Sequence, residues 1–535
     1  MKNKAVLFLV LAAIIVPLRP AVAATKLPPN AAPQAQQILR LPNTGPEGPY
    51  LDETLTIYNR QDGTDLIQEP LVVTDARGNV FPTAATSWSV SPDKLTWTFH
   101  IRKGLVWSDG VPLTAKDYLF SFRNQASPKT AYDFTFITEA VQDVKNWAAV
   151  NTGKMPLTAL GVAAPDLYTL TITTAAPRPQ LPATIAYVWA EPEHVVSKYG
   201  NNWATSLTHM VFSGPYIASS WQKGVSITLT PNSTYHGVRK APFSKITWAI
   251  AAGNGMAQFQ TGQVDQTPYL GAGQLQAALH SSQSKDVVTQ SAFDVWYLTY
   301  NTYTKPFSDL RVRQAFNLAV DRQTLANDVL KNIAIPNYTL LMPGYPGYDK
   351  SIKVPYSVKQ AQQLLAAAGY AGGKGFPSIN IYVRNSPGEI GFSVPAAEYI
   401  QSQLKTNLGV NVGVKVLEQK VVTADLNQHT APLVLIGYNY DYVGTSNFMD
   451  LFVTGGRHAW SNKQYDQTVA AADSSFDANS SKALYAKAQH ILADQVPASF
   501  LFTPVYHFLW NPKIANPPTL PQLTDDWMLN SYVMK

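Results

Sequence analysis

The residues able to do covalent or metal chemistry are few and poorly spaced. Nine histidines occur in 535 residues, yet none forms the His-Glu-x-x-His pair that sets two imidazoles on one helix face around zinc. Cysteine is absent, which removes thiol nucleophiles and thiolate ligands together. There is no Gly-x-Ser-x-Gly elbow. Gly253-Asn-Gly255 lacks the third glycine of a dinucleotide loop and reads as a turn. Glu191-Pro-Glu193-His194 offers three candidate ligands within four residues, but a lone cluster of this kind reads as a solvated turn. A catalytic triad assembled from distant segments stays open at this level.

The elements that would position any site follow an α/β pattern. The densest block runs from Leu95 to Arg123. Leu95–Ile101 alternates apolar and polar side chains in a β-rich composition and is expected to be a strand with one buried face. Ser108-Asp109-Gly110 with Pro112 is turn chemistry. Thr114 then stands where an N-cap belongs, with Asp117 three residues on, and Tyr118, Phe120 and Phe122 supply a packing face for the following helix. Further strands are expected at Ser226–Thr230, Lys245–Ile250 and Ile379–Val383, and helices at Val358–Ala368, Ala396–Leu408 and Ser481–Asp494. Residues 24–50, rich in Pro, Ala and Gln, read as an extended lead-in, with the fold proper beginning near Thr54.

Composition bounds the compartment and the partners. Lys2 and Lys4 precede an apolar run from Ala5 to Leu18, and Ala21-Val22-Ala23 offers a small-residue cleavage pattern, so residues 1–23 read as a secretory signal peptide. The run is shorter than the roughly 20 apolar residues of a spanning helix. With no cysteine there is neither a disulfide nor a lipid-modified tether, which favours a soluble periplasmic protein. Charged residues make up 14% of the chain, against roughly 25% in an average soluble protein. Loss of Lys2, Lys4 and Arg19 with the signal lowers the net charge from +6 to +3. So weak a charge argues against nucleic acid, which calls for a concentrated basic face.

The Leu95–Arg123 block resembles the signature of the family 5 extracytoplasmic solute-binding proteins of ABC importers. Three further segments resemble that family in its order: Gly214-Pro-Tyr-Ile-Ala-Ser-Ser-Trp221 with Pro231–Gly237, then Phe259–Asp265, then Tyr300–Arg322. Gly437-Tyr-Asn-Tyr-Asp-Tyr-Val-Gly-Thr-Ser-Asn-Phe448 is most similar to the oligopeptide-binding members. The resemblance implies an α/β fold of the type II periplasmic binding protein kind: two lobes about a hinge with an additional inserted domain. Residues 51–68, 190–292 and 509–535 would form the first lobe, 69–189 the extra domain and 293–508 the second lobe, with the ligand between lobes.

The resemblance also implies a site. Asp441 matches the aspartate that pairs with the free α-amino group of a bound peptide. A carboxylate in a closed, water-poor cleft suits that task, although Asp441 could instead cap a turn before Thr445-Ser446-Asn447. Gly437-Tyr438-Asn439 matches the stretch whose backbone lies beside the peptide as a strand partner, and Tyr438 could wall the cleft. Trp296 and Tyr297, near the crossing between lobes, are further pocket candidates. Asp294 and Asn439 occupy the positions where relatives often carry a cysteine pair, and are expected on neighbouring segments. Two departures stand out: the chain is short between Ile57 and Leu71, and Leu435 replaces an arginine. Arg311, Arg313, Asp321 and Arg322 read as structural ion pairs and caps. No metal and no cofactor is implied. The implied function is capture of peptides by a monomer that hands them to membrane permease subunits without chemistry. A metal chelate, heme or an oligosaccharide is the alternative cargo, a secreted hydrolase a different class, and a structural or adhesive surface protein a distant third. Few carboxylates should leave the fold tolerant of acid, with affinity failing before stability does.

Overall fold

In the computed structural model the structure describes residues 27–43, 48–57, 61–250, 255–386, 390–520 and 525–535. The expected signal peptide, residues 1–23, and the turn expected at Gly253-Asn254 lie outside them. Three sheets organise the chain. The first has strand order Ile38–Asn43, Lys245–Ile250, Ser226–Pro231, Tyr216–Gln222. A second has order Ala85–Val90, Thr96–Ile101, Thr169–Thr173, Val162–Asp166. The third is seven-stranded and includes Val287–Ser291, Ala498–Leu509, Asp294–Tyr300, Leu433–Asn439, Ile379–Asn385 and Val412–Glu418 in that order, with Ala334–Pro336 paired on Ala498–Leu509.

The capped block behaves as its residues dictate. Trp97, Phe99 and Ile101 point inward from the strand Thr96–Ile101. At the helix Ala115–Ala126, Thr114 N–H donates to the Asp117 carboxylate at 2.7 Å, and Lys116 N–H donates to Thr114 Oγ1 at 3.3 Å. This closes the capping box. Tyr118 and Phe122 fill the core under the second sheet, while Phe120 packs against the core of the first. One helix thus joins two cores.

The lead-in expected over residues 24–50 is corrected at its centre. Ile38–Asn43 is a strand parallel to Lys245–Ile250, with Leu41 opposite Trp248. Leu39 and Leu41 are buried, and Arg40 between them turns outward to Asp265. A three-residue alternation of this kind is easily hidden beside a Pro- and Ala-rich stretch, because a strand in a sheet needs only a short period-2 pattern.

The strand Ala498–Leu509 is the connector of the molecule. Its first half pairs with Trp296–Thr299 and its second half with Val287–Ser291. Beyond it, Trp510 enters the core of the first sheet. Ala292 N–H donates to Pro504 O at 3.1 Å, so the link from Val287–Ser291 to Asp294–Tyr300 runs beside this strand. The arginines expected as structural are so: Asp309 caps its helix and pairs with Arg311 at 2.6 Å. Arg313 and Arg322 differ from the expected ion pairs, since their buried guanidiniums donate to carbonyls such as Val496 O and Phe500 O.

Glu191 is a further correction. Only Glu193 and His194 are solvated, and His194 pairs with Asp109 at 2.9 Å. Glu191 is fully buried, accepts from Asn124 at 2.9 and 3.1 Å, and shares its surroundings with the buried Asp52. Burial pushes both carboxyls above their ordinary range, and their mutual repulsion adds to the rise at Glu191. Glu69 is pushed up to about 7, again by burial. Arg239 at 3.7 Å offsets only part of this, because its guanidinium is shared with Asp526 and the carbonyls of Gln68 and Asp65.

A carboxyl whose folded pKa is raised binds a proton that the unfolded chain does not, so stability falls as pH rises through that window. For Glu69 the window runs from 4.5 to about 7, and the full effect is about 3 kcal/mol. Calorimetry should therefore find a higher Tm at pH 5 than at pH 8, with Glu69→Gln flattening the slope. A Tm that climbs steadily with pH would overturn the assignment.

Candidate ligand-binding site

The strand Leu433–Asn439 is apolar for four residues and buried through Ile436. Its antiparallel ladder to Asp294–Tyr300 is complete, running from Leu433 opposite Tyr300 to Asn439 opposite Asp294. The ladder on its other edge is not. Ile379–Asn385 pairs with it only at Val434 and Leu435. Among the described residues, Gly437-Tyr438-Asn439 therefore has no ladder partner on that side, although Arg384 Nη2 reaches Gly437 O at 3.3 Å. Such an edge is a template for an added strand.

Asp441 lies where this edge ends. Tyr438 donates its hydroxyl to the Asp441 carboxylate, and Asn447 Nδ2 donates to the same oxygen at 3.2 Å. Asn447 Oδ1 in turn accepts from Asp441 N–H at 2.9 Å. The turn-capping alternative does not describe this geometry: Gly444 is the N-cap of the helix Thr445–Met449, and the carboxylate is held by two side chains. Burial pushes the Asp441 carboxyl above its usual range, while Tyr438, Asn447 and the charge of Arg457 pull it back. A half-buried acid oriented by neutral donors is suited to a cationic partner.

The other expected residues separate. Tyr438 sets its ring edge-on to Phe448 at 5.4 Å and spends its hydroxyl on Asp441, so it positions the acid rather than walling a cleft. Trp296 and Tyr297 are successive strand residues and point to opposite faces. Trp296 stacks on Phe502 at 5.7 Å in one core, and Tyr297 bonds His458 Nε2 at 3.0 Å in another. Both rings are core here, a correction to their expected place in a pocket. Trp296 also explains Gly437, since a Cβ there would lie 2.5 Å from the indole. Asn439 is exposed and faces Asp294 across the ladder, in line with the expected neighbouring segments. Asn447 was missed. In the sequence, Thr445-Ser446-Asn447 figured only as the stretch after a turn that Asp441 could cap.

A profile of the bacterial extracellular solute-binding proteins, family 5, matches residues 79–460. The chain belongs to that family. It is 29% identical to the probable deoxycholate-binding periplasmic protein YgiS of Escherichia coli K12, over 90% of each chain. It is 27% identical to the periplasmic oligopeptide-binding protein OppA of Salmonella typhimurium, over 87% of this chain and 86% of that one. The structure of Haemophilus influenzae OppA in complex with the peptide RPPGFSPFR superposes with a TM-score of 0.71 at 26% identity, covering 93% of this chain and 99% of the other. The fold is accordingly that of the type II periplasmic binding proteins, mixed α/β with two lobes and an insert.

Leu435 is buried in the core of the third sheet and carries no charge to the cleft. Arg384, on the neighbouring strand, brings a guanidinium to Gly437 instead. Thr64–Leu71 is buried throughout, with Glu69 committed to Tyr235 and Arg239. The shortened segment from Ile57 onward includes residues 58–60, which lie outside those described.

Directly opposed residues of an antiparallel pair have Cα atoms about 4.5–5.5 Å apart, inside the range a disulfide needs. The double variant Asp294→Cys, Asn439→Cys should therefore oxidise without strain and gain about 2–4 kcal/mol of stability. Mass spectrometry under non-reducing conditions reads the bond. Two free thiols after export to the periplasm would refute the register.

Proposed function

We propose that this family 5 protein is a periplasmic binding protein that captures peptides by their free amino end and delivers them to an ABC importer, without chemistry. The observation that carries the reading is the open edge of Gly437–Asn439, which ends at the Asp441 carboxylate. A peptide laid along that edge would exchange main-chain hydrogen bonds without regard to its side chains, and its ammonium would meet Asp441. The names of relatives such as OppA support the cargo and the compartment. No helix among the described residues is long and apolar enough to cross a membrane, which fits an exported protein released from its signal peptide. In this reading the first lobe gains the strand Ile38–Asn43, residues 69–189 are the inserted domain, and the strand Ala498–Leu509 carries the hinge.

YgiS gives the alternative a specific form, a bile-acid anion. The charge of Asp441 disfavours it: an ionised carboxylate brought against a half-buried carboxylate is repelled, whereas an ammonium is attracted. Calorimetric titration with trialanine, N-acetyl-trialanine and deoxycholate separates the readings. Trialanine should bind, and Asp441→Asn should cost it about 2–5 kcal/mol while leaving the acetylated peptide nearly unaffected.

The pH response follows from the raised carboxyl of the free protein. An ammonium lowers that pKa in the complex, so binding expels a proton. Affinity for trialanine should be full above the free-protein value and decline as pH falls through it, until the value of the complex is passed. Preferential binding of deoxycholate, or equal affinity of wild type and Asp441→Asn for trialanine at neutral pH, would sink the peptide reading.

A further inference from the structure

The proposed anchor Asp441 and the two residues that follow it are gripped by the inserted domain. Tyr187 donates its hydroxyl to Asp441 O. The Tyr442 ring, 1% exposed, is buried among Tyr132, Phe134, Ile137 and Val141, every one of them on the inserted domain. Gly78, at the tip of a turn with φ of +78°, sits so close to Val443 that a Cβ would lie 2.9 Å from the carbonyl oxygen. From its own side the same segment is pinned by Tyr345, whose hydroxyl lies 3.0 Å from the carbonyls of Tyr442 and Gly444 and accepts from Gly444 N–H at 3.0 Å. Tyr442 itself keeps one bond within its lobe, to Ser446 Oγ at 2.7 Å.

We propose that Tyr442 is a closure residue: its ring seats in a socket on the inserted domain, so that docking of that domain and occupancy of the site at Asp441 are coupled through adjacent peptide units. The socket and the ring belong to different units, so separation of the units must expose both. An aromatic ring carries 150–250 Å² of surface, and burying it favours the docked arrangement by well over tenfold. A second contact across the same boundary has the same sense. Trp97 stacks on Phe476 at 6.1 Å and 22°, with Lys94 Nζ 5.2 Å from that ring. Arg178, paired with Asp143 at 3.2 Å, also opposes the raised pKa values that burial gives Asp450 and Asp473 of the second lobe.

This inference rests on the peptide reading only for the identity of the ligand. It can be tested without one. The chain has no cysteine, so Lys129→Cys and Lys482→Cys, both at exposed positions, accept spin labels selectively. In protein stripped of ligand by refolding, Tyr442→Ala should lower the docked-to-undocked ratio at least tenfold, read as a shift to longer interlabel distances. Tyr442→Phe should keep the wild-type distribution, and Val141→Ala, on the socket side, should shift it in the same direction as Tyr442→Ala. With trialanine, Tyr442→Ala should raise the dissociation rate at least tenfold, equally for free and acetylated peptide. An unchanged distance distribution in Tyr442→Ala, with circular dichroism reporting a folded protein, overturns the proposal. If Tyr442→Ala opens the protein while Asp441→Asn fails to discriminate free from acetylated peptide, closure stands and the peptide reading falls.

Discussion

The proposed site depends on holding one carboxylate half out of water without giving it a permanent cation. Asp441 meets the constraint with neutral donors. Tyr438 and Asn447 orient it, and the opposing charge of Arg457 pulls its pKa down without a hydrogen bond to it among the described contacts. A lysine or arginine in direct contact would have lowered its pKa and satisfied it permanently, leaving nothing for a ligand to gain. Neutral donors stabilise the ion less. In the proposed binding mode an incoming ammonium would relieve the residual cost of burial, and that difference between free and bound states would be a source of affinity.

The same economy governs the backbone beside it. Most sheet strands inside a lobe are paired on both edges, because unpaired amides are costly when buried. Leu433–Asn439 obeys this at Val434 and Leu435 and then departs from it, with its last three residues paired, among the described residues, only toward Asp294–Trp296. Gly437 is the hinge of this departure. Its missing side chain admits the Trp296 indole from the paired strand, and its carbonyl is held by Arg384 from the other. The core and the open edge therefore meet at one residue.

How much of this was legible in the sequence varied with the range of the interaction. Local signals were read closely: Thr114 and Asp117 close their capping box, and the strands at Ser226, Lys245 and Ile379 start where alternation placed them. Asp294 and Asn439 were expected on neighbouring segments, and the ladder sets them opposite one another, because a resemblance to a family carries long-range proximity that periodicity cannot. What failed was inference from residue type alone. Glu191 looked like a solvated turn residue, yet the fold buries it against Asn124 and Asp52. Trp296 and Tyr297 looked like pocket aromatics because they lie near a domain crossing, but strand alternation sends them into two separate cores. Ile38–Asn43 was lost because its partner strand lies some two hundred residues away.

Burial of carboxylates also gives acid tolerance a different origin from the one composition suggested. A low count of charged groups leaves few native ion pairs for protons to break, which is a passive argument. The structure supplies an active one, since Asp52, Glu69 and Glu191 take up protons more readily in the folded chain than in the unfolded one. Asp441 shares the cause, desolvation, but not the consequence. In the core a bound proton removes a buried charge and strengthens the fold; in the cleft it removes the charge that a ligand would meet. One physical term therefore sets the fold and the site against each other on the pH axis, and the compartment in which the protein works decides which of the two prevails.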